Sequence, residues 1–369
     1  MDNISQKQHV LQIFASRFWG GGEQYVYDLS KALFENGYEL SLVSRKSKDI
    51  YDKINPLNIR LFTLPLKTHF DICSIYRLFR IIDKHGVDLI HTHQFKDAFI
   101  ALFARALSRN KPKVVLTRHL VKKAKNGFIY RWLYRRIDKI IFVSALARDA
   151  FLSSHPAICA KKIRVIHNSI SPSPQFEDDD IRTRYSINSK TVVLAFTGRI
   201  VQEKGVEVLI DSLNKIKHLD FYLLIAGKGD KKYEEKLQNK ILSCGLSDKV
   251  KFTGFLDKVQ SFIRQVDIGI VPSVWAEPFG LSIIEFMQAG KAVITTNNGA
   301  QPEFVTDKQT GILIPPCDST ALANAIESLI LNAEQRISLG VQAKEMFEKK
   351  LSYSVFFNRI LSVYSEVDV

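Results

Sequence analysis

Short apolar runs and amphipathic stretches alternate along the chain, and their spacing predicts its secondary structure. In the first part, apolar runs predict strands at 9–14, 39–44, 59–64, 88–91, 113–117 and 139–143. Apolar residues at helical spacing predict helices at 23–35, 72–84, 96–108, 126–137 and 145–154. Strands that alternate with helices indicate a parallel sheet covered on both faces, with ligands bound beyond the carboxyl ends of its strands.

The same alternation resumes in the second half. Strands are predicted at 192–197, 221–226, 249–253, 267–271 and 291–295, and helices at 205–216, 231–243, 258–265, 279–289, 319–331 and 334–349. The intervening segment 164–180 becomes Pro/Ser-rich and then acidic, as linkers do. We therefore predict an α/β protein of two doubly wound parallel-sheet domains, residues 1–170 and 171–352, with a last helix in 353–369 that packs back on the first domain.

Composition fits this division. A chain of 369 residues with 46% hydrophobic and 24% charged residues suits two globular domains. No apolar run approaches the length of a bilayer span, and the N-terminus lacks the apolar core of a signal peptide. The four cysteines are far apart and match no metal-binding or redox spacing. These features predict a cytoplasmic protein.

The positive charge lies in the first domain. Residues 1–170 hold 29 Lys+Arg and 13 Asp+Glu, a net charge of +16, whereas residues 171–369 hold 23 and 25, a net charge of −2. Such a surplus predicts a polyanionic neighbour. Segment 122–136 interleaves basic and aromatic residues, which suits a helix at anionic lipid headgroups. Nucleic acid would use similar residues, and a solvated basic face over an aromatic core explains the segment nearly as well.

The stretch 271–285 joins a predicted strand to a predicted helix and carries two glutamates. Pro278 suits the first turn of a helix, because its missing N–H would have no partner there. The helical pattern begins at Phe279, so Glu277 is predicted at the mouth of the helix and Glu285 about two turns further in. The open amides of such a helix end favour an anion such as phosphate.

The spacing of the two glutamates limits what they bind. Eight helical residues place their backbones about 12 Å apart, whereas the carboxyl groups of glycoside hydrolases lie roughly 5–10 Å apart across one bond. Glu277 and Glu285 therefore suit a longer ligand, with a sugar at one end and a ribose at the other. A solvated Glu277 and a helix-surface Glu285 remain an open alternative.

Glycines and cations follow several predicted strands. Gly20-Gly21-Gly22 joins the first strand to the first helix and lets amides approach a phosphate, although a tight turn alone also explains it. Gly198-Arg199 ends a strand and Lys204-Gly205 begins the next helix, a pair of cations suited to a diphosphate. The turn 226–230 resembles half of a dinucleotide fingerprint. Ser44-Arg45 stands where a dinucleotide dehydrogenase would have an acidic residue, which disfavours that class.

Histidines follow two strands of the first domain. His119 suits a hydrogen-bonded core position and a site position about equally. His91 and His93 end the preceding strand as His-x-His, but no third ligand has a suitable spacing. We therefore predict no metal, and we predict that His91 and His93 belong to a wall facing the acceptor.

These motifs, with 252–255 and 299–303, resemble the family 4 glycosyltransferases over essentially the whole chain. The Glu-x7-Glu element at 277–285 is the most specific of them. The family transfers sugars with retention on two Rossmann-like domains, the GT-B fold, and the resemblance implies that a nucleotide sugar binds in an interdomain cleft.

The resemblance also implies residue roles. Arg199 and Lys204 would neutralise charge on the leaving diphosphate, Glu277 would contact hydroxyls of the donor sugar, and His119 would touch that sugar and the reacting centre. The amides of 279–281 would meet the diphosphate, and Glu285 would hold the ribose. The implied donor-binding residues are Gly21, Gly22, Gly198, Gly229, Phe279, Gly280, Leu281 and Glu285.

The implied reaction moves a hexose-type sugar from a UDP- or GDP-sugar to a saccharide or lipid-linked acceptor in lipopolysaccharide or polysaccharide synthesis. Retention without an obvious protein nucleophile implies front-face attack, in which the leaving phosphate takes the acceptor's proton. No metal, cofactor or nucleic acid is expected. The basic first half suggests peripheral contact with an anionic membrane at the inner face of the cell membrane.

Two segments depart from the family pattern. His167-Asn168-Ser169 replaces the frequent Pro-Asn-Gly, and 297–303 is looser than Gly-Gly-x-Pro-Glu, so hinge behaviour and donor-sugar contacts are open. Rival predictions are an epimerase or phosphorylase on the same scaffold, or a non-catalytic protein that binds nucleotide sugar or nucleic acid. The four implied catalytic residues together disfavour the non-catalytic alternative.

Overall fold

The computed structural model describes residues 8–16, 20–172 and 180–368. Residues 17–19, just before the predicted glycine run, and part of the predicted linker (173–179) lie outside these ranges. The chain divides into two compact units, one formed by residues up to Asn168 together with Ser354–Val369, and the other by Ser169–Tyr353. We call them the first and second domain.

Each domain is built on one parallel sheet. The strands of the first domain are β1 (His9–Phe14), β2 (Glu39–Ser44), β3 (Arg60–Thr63), β4 (Leu89–Thr92), β5 (Lys113–Arg118), β6 (Lys139–Phe142) and β7 (Ile163–Val165). Those of the second domain are β8 (Val192–Thr197), β9 (Phe221–Ala226), β10 (Val250–Gly254), β11 (Ile268–Val271), β12 (Ala292–Thr296) and β13 (Ile312–Ile314). The sheet orders are β3-β2-β1-β4-β5-β6-β7 and β10-β9-β8-β11-β12-β13.

Helices connect these strands. In chain order they are α1 (Gly21–Glu35), α2 (Lys48–Ile54), α3 (Ile72–His85), α4 (Phe95–Leu107), α5 (Phe128–Arg136), α6 (Ala145–Leu152), α7 (Ile181–Arg184), α8 (Val206–Lys215), α9 (Lys231–Ser243), α10 (Val259–Arg264), α11 (Leu281–Gln288), α12 (Ser319–Leu331), α13 (Ala333–Met346) and α14 (Tyr353–Asp368). Among the described residues, no helix is both long and apolar enough to span a bilayer.

The last helix is held to the first domain by polar contacts. The Tyr364 hydroxyl lies 2.7 Å from Nδ1 of His91. The Glu366 carboxylate accepts hydrogen bonds from Lys139 and Arg164, next to the edge strand β7. A buried hydroxyl and a shared carboxylate thus fix α14 at both the core and the rim of that domain.

Each sheet has a switch point at which the strand order reverses. In the first domain it lies between β1 and β4, and in the second between β8 and β11. Helices leave to opposite faces on the two sides of such a point, so a crevice opens beyond the carboxyl ends of the strands. The loops after β4, β5, β8 and β11 lie at this carboxyl edge of the two sheets.

The predicted fold class is confirmed, and most predicted elements are present within two residues of their expected ends. The short elements α2, α7 and β13 were not predicted. Ile312–Ile314 has only three residues, too few to show an apolar period, and it becomes a strand because β12 offers an open edge in parallel register.

Candidate active site

The centre of the candidate site is an ion pair in the second domain. Lys204 Nζ lies 2.7 Å from Oε1 of Glu277. The Glu277 side chain is almost fully buried, and the Ser273 hydroxyl donates a hydrogen bond to the same carboxylate oxygen. Charge-assisted contacts of this kind are the strong ones, and they hold both charges in a defined geometry. Two residues predicted for the site thus meet directly, and Ser273 joins them without having been predicted.

A glycine lets the loops that carry these two charges approach each other. Lys204 ends a short 3-10 turn, and Gly205 after it has φ +71°. A Cβ atom at Gly205 would lie 2.0 Å from the carbonyl oxygen of Pro272, in the loop after β11. Next to this contact, the Val274 amide donates to the Glu203 carbonyl at 2.9 Å. Only glycine fits there, because it needs neither the side-chain space nor a negative φ.

A second glycine packs on the other side of Glu277. A Cβ atom at Gly299 would lie 2.6 Å from the Glu277 amide nitrogen, and the following amide, that of Ala300, donates to the Glu277 carbonyl at 3.0 Å. The loop after β12 therefore crosses the Glu277 backbone at van der Waals distance. The sequence motif at 299–303 contained this glycine, but only the fold shows which residue it accommodates.

The helix after β11 begins later than predicted. Helix α11 starts at Leu281. Gly280 before it has φ +103°, which a right-handed helix does not allow, so the helix does not include the residues before Leu281. The prediction of Pro278 in the first helical turn, with Glu277 at the helix mouth, is therefore wrong. By helix geometry, the amides at the open end include those of Leu281 and Ser282. Phe279 is buried and packs against Phe304, with ring centroids 4.8 Å apart.

Ser282 connects the start of α11 to the neighbouring strand. Its hydroxyl donates to the carbonyl of Thr197, the last residue of β8, at 2.8 Å. The open end of the helix is thereby held beside Gly198, whose hypothetical Cβ would lie 3.8 Å from that hydroxyl oxygen. This places the helix end at the switch point of the second sheet, where anions meet both the partial positive charge of the helix and nearby cations.

Glu285 lies one turn into α11. Although part of its side chain reaches solvent, burial raises the pKa of the Glu285 carboxyl to about 7. The positive charge of Lys204 partly offsets this rise. Lys204 therefore acts electrostatically on both glutamates. The estimated separation of the two glutamate backbones does not apply, because residues 277–280 are not helical.

The other predicted residues of the second domain differ in what they offer a ligand. Arg199 follows β8 and its side chain is exposed. The Gly198 amide donates to the Ala226 carbonyl at 3.0 Å, and the Gly229 amide donates to Oε1 of Glu234 at 2.6 Å. Neither glycine amide is available to a phosphate, so Gly198 and Gly229 shape the turns rather than present a donor group.

In the first domain, His119 follows β5 and is half-buried. Its Nε2 lies 3.3 Å from Nδ1 of His93, and the Tyr25 ring packs edge-on against it with centroids 4.9 Å apart. Burial, assisted by the charge of Arg118, lowers the pKa of His119 to about 4. The imidazole is therefore neutral at physiological pH, and it can accept or donate a hydrogen bond but carries no charge.

The predicted acceptor-facing wall of His91 and His93 is not formed. Both side chains are buried, and both ring nitrogens of each already have partners in the protein. His91 lies 2.7 Å from Tyr364 and 2.7 Å from Thr117, and burial lowers its pKa to about 3. These histidines are accordingly packed behind His119 instead of lining a ligand surface.

Gly21 and Gly22 form the first residues of α1 instead of the loop before it. Gly21 is exposed, and a Cβ at Gly22 would meet no atom within 4 Å. Their amides belong to the open N-terminal end of a helix. Among the described residues, no three histidine, cysteine, aspartate or glutamate side chains gather in a way that would hold a metal ion.

Comparison with known proteins identifies the family of this chain. The model of the family described as glycosyl transferases group 1 matches residues 177–346, and that described as Glycosyltransferase Family 4 matches residues 19–173. An uncharacterized glycosyltransferase of Methanocaldococcus jannaschii, MJ1178, is 30% identical over 86% of this chain and 88% of its own length. The chain belongs to the family 4 glycosyltransferases. It is accordingly a transferase, which replaces the rival predictions of an epimerase and a non-catalytic binding protein.

Two further proteins resemble this glycosyltransferase. The phosphatidyl-myo-inositol mannosyltransferase of Mycobacterium leprae is 26% identical, with 94% of this chain and 93% of that protein covered. The crystal structure of Anabaena Alr3699/HepE in complex with UDP-glucose superposes with a TM-score of 0.82 at 20% identity, over 97% of this chain and 99% of that one. The architecture is therefore the GT-B fold, as predicted.

Proposed function

We propose that this glycosyltransferase takes a hexose-type sugar from a nucleotide-diphosphate donor, with a UDP-sugar favoured over a GDP-sugar. The observation that carries the proposal is the convergence of Lys204, Glu277 and Glu285 beside the open end of α11. One cation, two carboxylates and a helix end match a ligand with a diphosphate between two hydroxyl-bearing sugars. The structural relative HepE was crystallised with UDP-glucose, which supports the uridine donor.

The roles of the residues follow from their chemistry. Lys204 supplies a positive charge to the leaving diphosphate, and the exposed Arg199 adds a second one. The carboxylate of Glu277 accepts hydrogen bonds from hydroxyls of the donor sugar, and that of Glu285 from hydroxyls of the ribose. With these cations in place, the leaving phosphate takes the acceptor's proton during front-face attack, the sugar keeps its anomeric configuration, and no metal or cofactor is required.

The acceptor belongs to the same proposal. The relative from Mycobacterium leprae is named for transfer of mannose to phosphatidyl-myo-inositol, a lipid. We extend this class of acceptor to the present enzyme, with a lipid-linked or free saccharide of a cell-surface glycan, lipopolysaccharide or polysaccharide, as the group that receives the sugar. Synthesis of such a glycan would take place on the cytoplasmic side of the cell membrane.

A donor screen tests the proposed reaction. The purified enzyme is incubated with UDP- and GDP-sugars without acceptor, and mass spectrometry follows the release of nucleoside diphosphate. Slow hydrolysis of one UDP-sugar is expected, because water replaces the missing acceptor. Tight binding of a nucleotide sugar without any release, or release from none of the donors, would contradict the proposal. Once an acceptor is found, the anomeric configuration of the product tests retention.

The basic residues of the first domain fall into two groups. Several near the amino ends of its strands are used within the domain: Lys162 Nζ donates to the Ile137 carbonyl at 2.7 Å, and Lys111 Nζ to the Ala106 carbonyl at 2.8 Å. Cations at the carboxyl ends of helices stabilise the helix dipole, so these residues need no external partner. In contrast, Lys122 and Lys123 lie exposed in the segment after β5.

Exposed aromatic side chains follow the second group closely in the sequence and also lie on a neighbouring segment. Phe128 begins α5 and is 86% exposed, and Phe70 in the loop before α3 is 56% exposed. The Tyr130 ring connects their two segments, since Lys125 Nζ lies 5.4 Å and the His69 ring 6.5 Å from its centroid. Cations that surround exposed aromatic rings are suited to anionic headgroups over acyl chains. We propose that this surface, which we call the basic–aromatic patch, contacts the membrane.

Vesicle binding tests the basic–aromatic patch. The double substitution Lys122→Glu/Lys123→Glu is expected to weaken binding to anionic vesicles at low salt by at least about tenfold, since each cation near such a surface contributes about 1 kcal/mol. The matched control is Lys349→Glu/Lys350→Glu, an exposed lysine pair of the second domain, which is expected to bind like the native enzyme. Equal losses in both variants, or no native binding at low salt, would contradict the contact.

A further inference from the structure

A line of hydrogen-bonded side chains runs through the core of the first domain and ends at His119. Nε2 of Gln12, in the middle of β1, donates to the Ser30 hydroxyl of α1 at 2.8 Å. The Oε1 atom of Gln12 lies 3.1 Å from Nε2 of His93. Nδ1 of His93 lies 3.3 Å from Nε2 of His119. Gln12 and Ser30 are fully buried and His93 nearly so, and water therefore does not provide alternative partners.

The position of the Gln12 oxygen determines where each proton lies. An amide oxygen can only accept, so His93 must carry its proton on Nε2. The neutral imidazole of His93 then has a lone pair on Nδ1, and this nitrogen must accept from His119. His119 consequently carries its proton on Nε2. We propose that Gln12, acting through His93, is a positioning residue that holds neutral His119 in the Nε2–H tautomer and leaves Nδ1 as a hydrogen-bond acceptor.

The properties of His119 agree with a role as hydrogen-bond acceptor. Its low pKa keeps the ring neutral, so that one nitrogen always has a lone pair near pH 7. Within the described residues, Nδ1 has no hydrogen-bond partner, whereas Nε2 has His93. A lone pair on a half-buried ring beyond the carboxyl end of β5 is suited to accept a hydrogen bond from a sugar hydroxyl. This last step rests on the proposed function, whereas the tautomer itself does not.

If donors and acceptors were reversed along Gln12, His93 and His119, His119 would favour a different kind of ligand atom. If the Gln12 amide were turned over, its NH₂ group would donate to His93, His93 would donate from Nδ1 to His119, and His119 would present an Nδ1–H donor. Such a ring would favour a ligand oxygen without a proton, such as a phosphate or a ring oxygen. The two arrangements therefore select different substrate atoms, and they differ in a quantity that spectroscopy measures directly.

Nitrogen NMR of the full chain labelled with ¹⁵N-histidine tests the tautomer without any substrate. Protonated and unprotonated imidazole nitrogens of a neutral ring resonate in separate regions at pH 8, and loss of signals in His119→Gln and His93→Gln assigns the two rings. The expected result is a protonated Nε2 and an unprotonated Nδ1 for both. His9 is an internal reference of the opposite kind, since its Nδ1 lies 2.8 Å from the His85 carbonyl, which can only accept.

A substitution at Gln12 tests whether this residue sets the tautomer. Gln12→Met keeps the length of the side chain but removes the amide, so His93 and His119 are expected to become mixtures of tautomers with averaged shifts, while His9 is unchanged. Ser41→Ala, which removes the partner of His9 Nε2, is the control and is expected to leave His119 as in the native enzyme.

The native spectrum alone can overturn the inference: an Nδ1–H tautomer of His119 would show the opposite polarity. Unchanged His93 and His119 signals in a folded Gln12→Met variant would show that Gln12 does not set the tautomer. The spectra contain no substrate, so a failure of the donor screen would overturn the proposed reaction and leave the tautomer standing.

Discussion

Replacing Lys204 with alanine is expected to lower sugar transfer, or donor hydrolysis, by about 100- to 1,000-fold, the usual cost of removing one preorganised charge from a developing anion. Lys204 contacts Glu277 directly and acts electrostatically on Glu285, and its charge adjoins the helix end proposed to hold the diphosphate. The measurement is the release of nucleoside diphosphate from the donor that the screen identifies. A variant that keeps the native rate would show that the phosphate assignment is wrong.

The same substitution is also expected to destabilise the second domain. Glu277 is nearly fully buried, so loss of Lys204 leaves a buried carboxylate whose remaining hydrogen bond, among the described residues, comes from the Ser273 hydroxyl. Removing one partner of such a pair costs about 2–4 kcal/mol, less than for a wholly buried pair because part of Lys204 reaches solvent. Urea unfolding measures this loss.

A double variant separates the two effects of Lys204. Lys204→Met/Glu277→Gln removes both charges and keeps the side-chain volumes similar, so most of the lost free energy of unfolding should return. Its transfer rate should stay as low as that of Lys204→Ala, because the charge for the diphosphate is still missing. Recovery of activity together with stability would mean that the ion pair serves folding alone.

The substitution Gly205→Ala is expected to lower the free energy of unfolding by about 3 kcal/mol or more and to abolish most activity. Its Cβ atom would lie 2.0 Å from the Pro272 carbonyl oxygen, and the φ of +71° is unfavourable for alanine. Relief of the contact must move the 3-10 turn that carries Lys204 away from the loop that carries Glu277. Gly205 has no side chain, so the expected loss of activity comes from the displaced loops and not from a missing functional group.

Gly245 provides the matched control. Its φ is +68°, nearly that of Gly205, but a Cβ atom there would meet nothing within 4 Å. Gly245→Ala should therefore show only the backbone cost, about 1–2 kcal/mol, with normal activity. Urea unfolding and donor hydrolysis are measured for both variants. Equal losses of stability would show that the contact with Pro272 contributes nothing.

The residues of the site were predicted more accurately than their geometry. Lys204, Glu277 and Glu285 could be selected because charged residues with flanking glycines follow apolar runs, and such runs end at one edge of a parallel sheet. The start of α11 was misplaced because Pro278 and the apolar spacing both suit a helix. The left-handed conformation of Gly280 depends on the packing of the loop, which the local pattern does not contain.

Other residues carried no local signal that assigned them a role in the site. Ser273 and Gln12 resemble ordinary polar positions next to or within strands, and only the fold brings them to Glu277 and His93. His91 and His93 were placed on a ligand-facing wall because they end a strand. His91 is instead enclosed with Tyr364 of α14, 273 residues later in the chain, and His93 is enclosed between Gln12 and His119.

The amino-acid sequence by itself determined the class of fold, the strand–helix alternation and the set of charged groups at the carboxyl edge of the second sheet, because these follow from apolar periodicity and residue chemistry, which are local. The tertiary structure alone decided which of those groups touch, which glycines permit the contact and which histidines are enclosed. Such contacts join residues far apart in the chain, and their geometry depends on the packing of several loops at once.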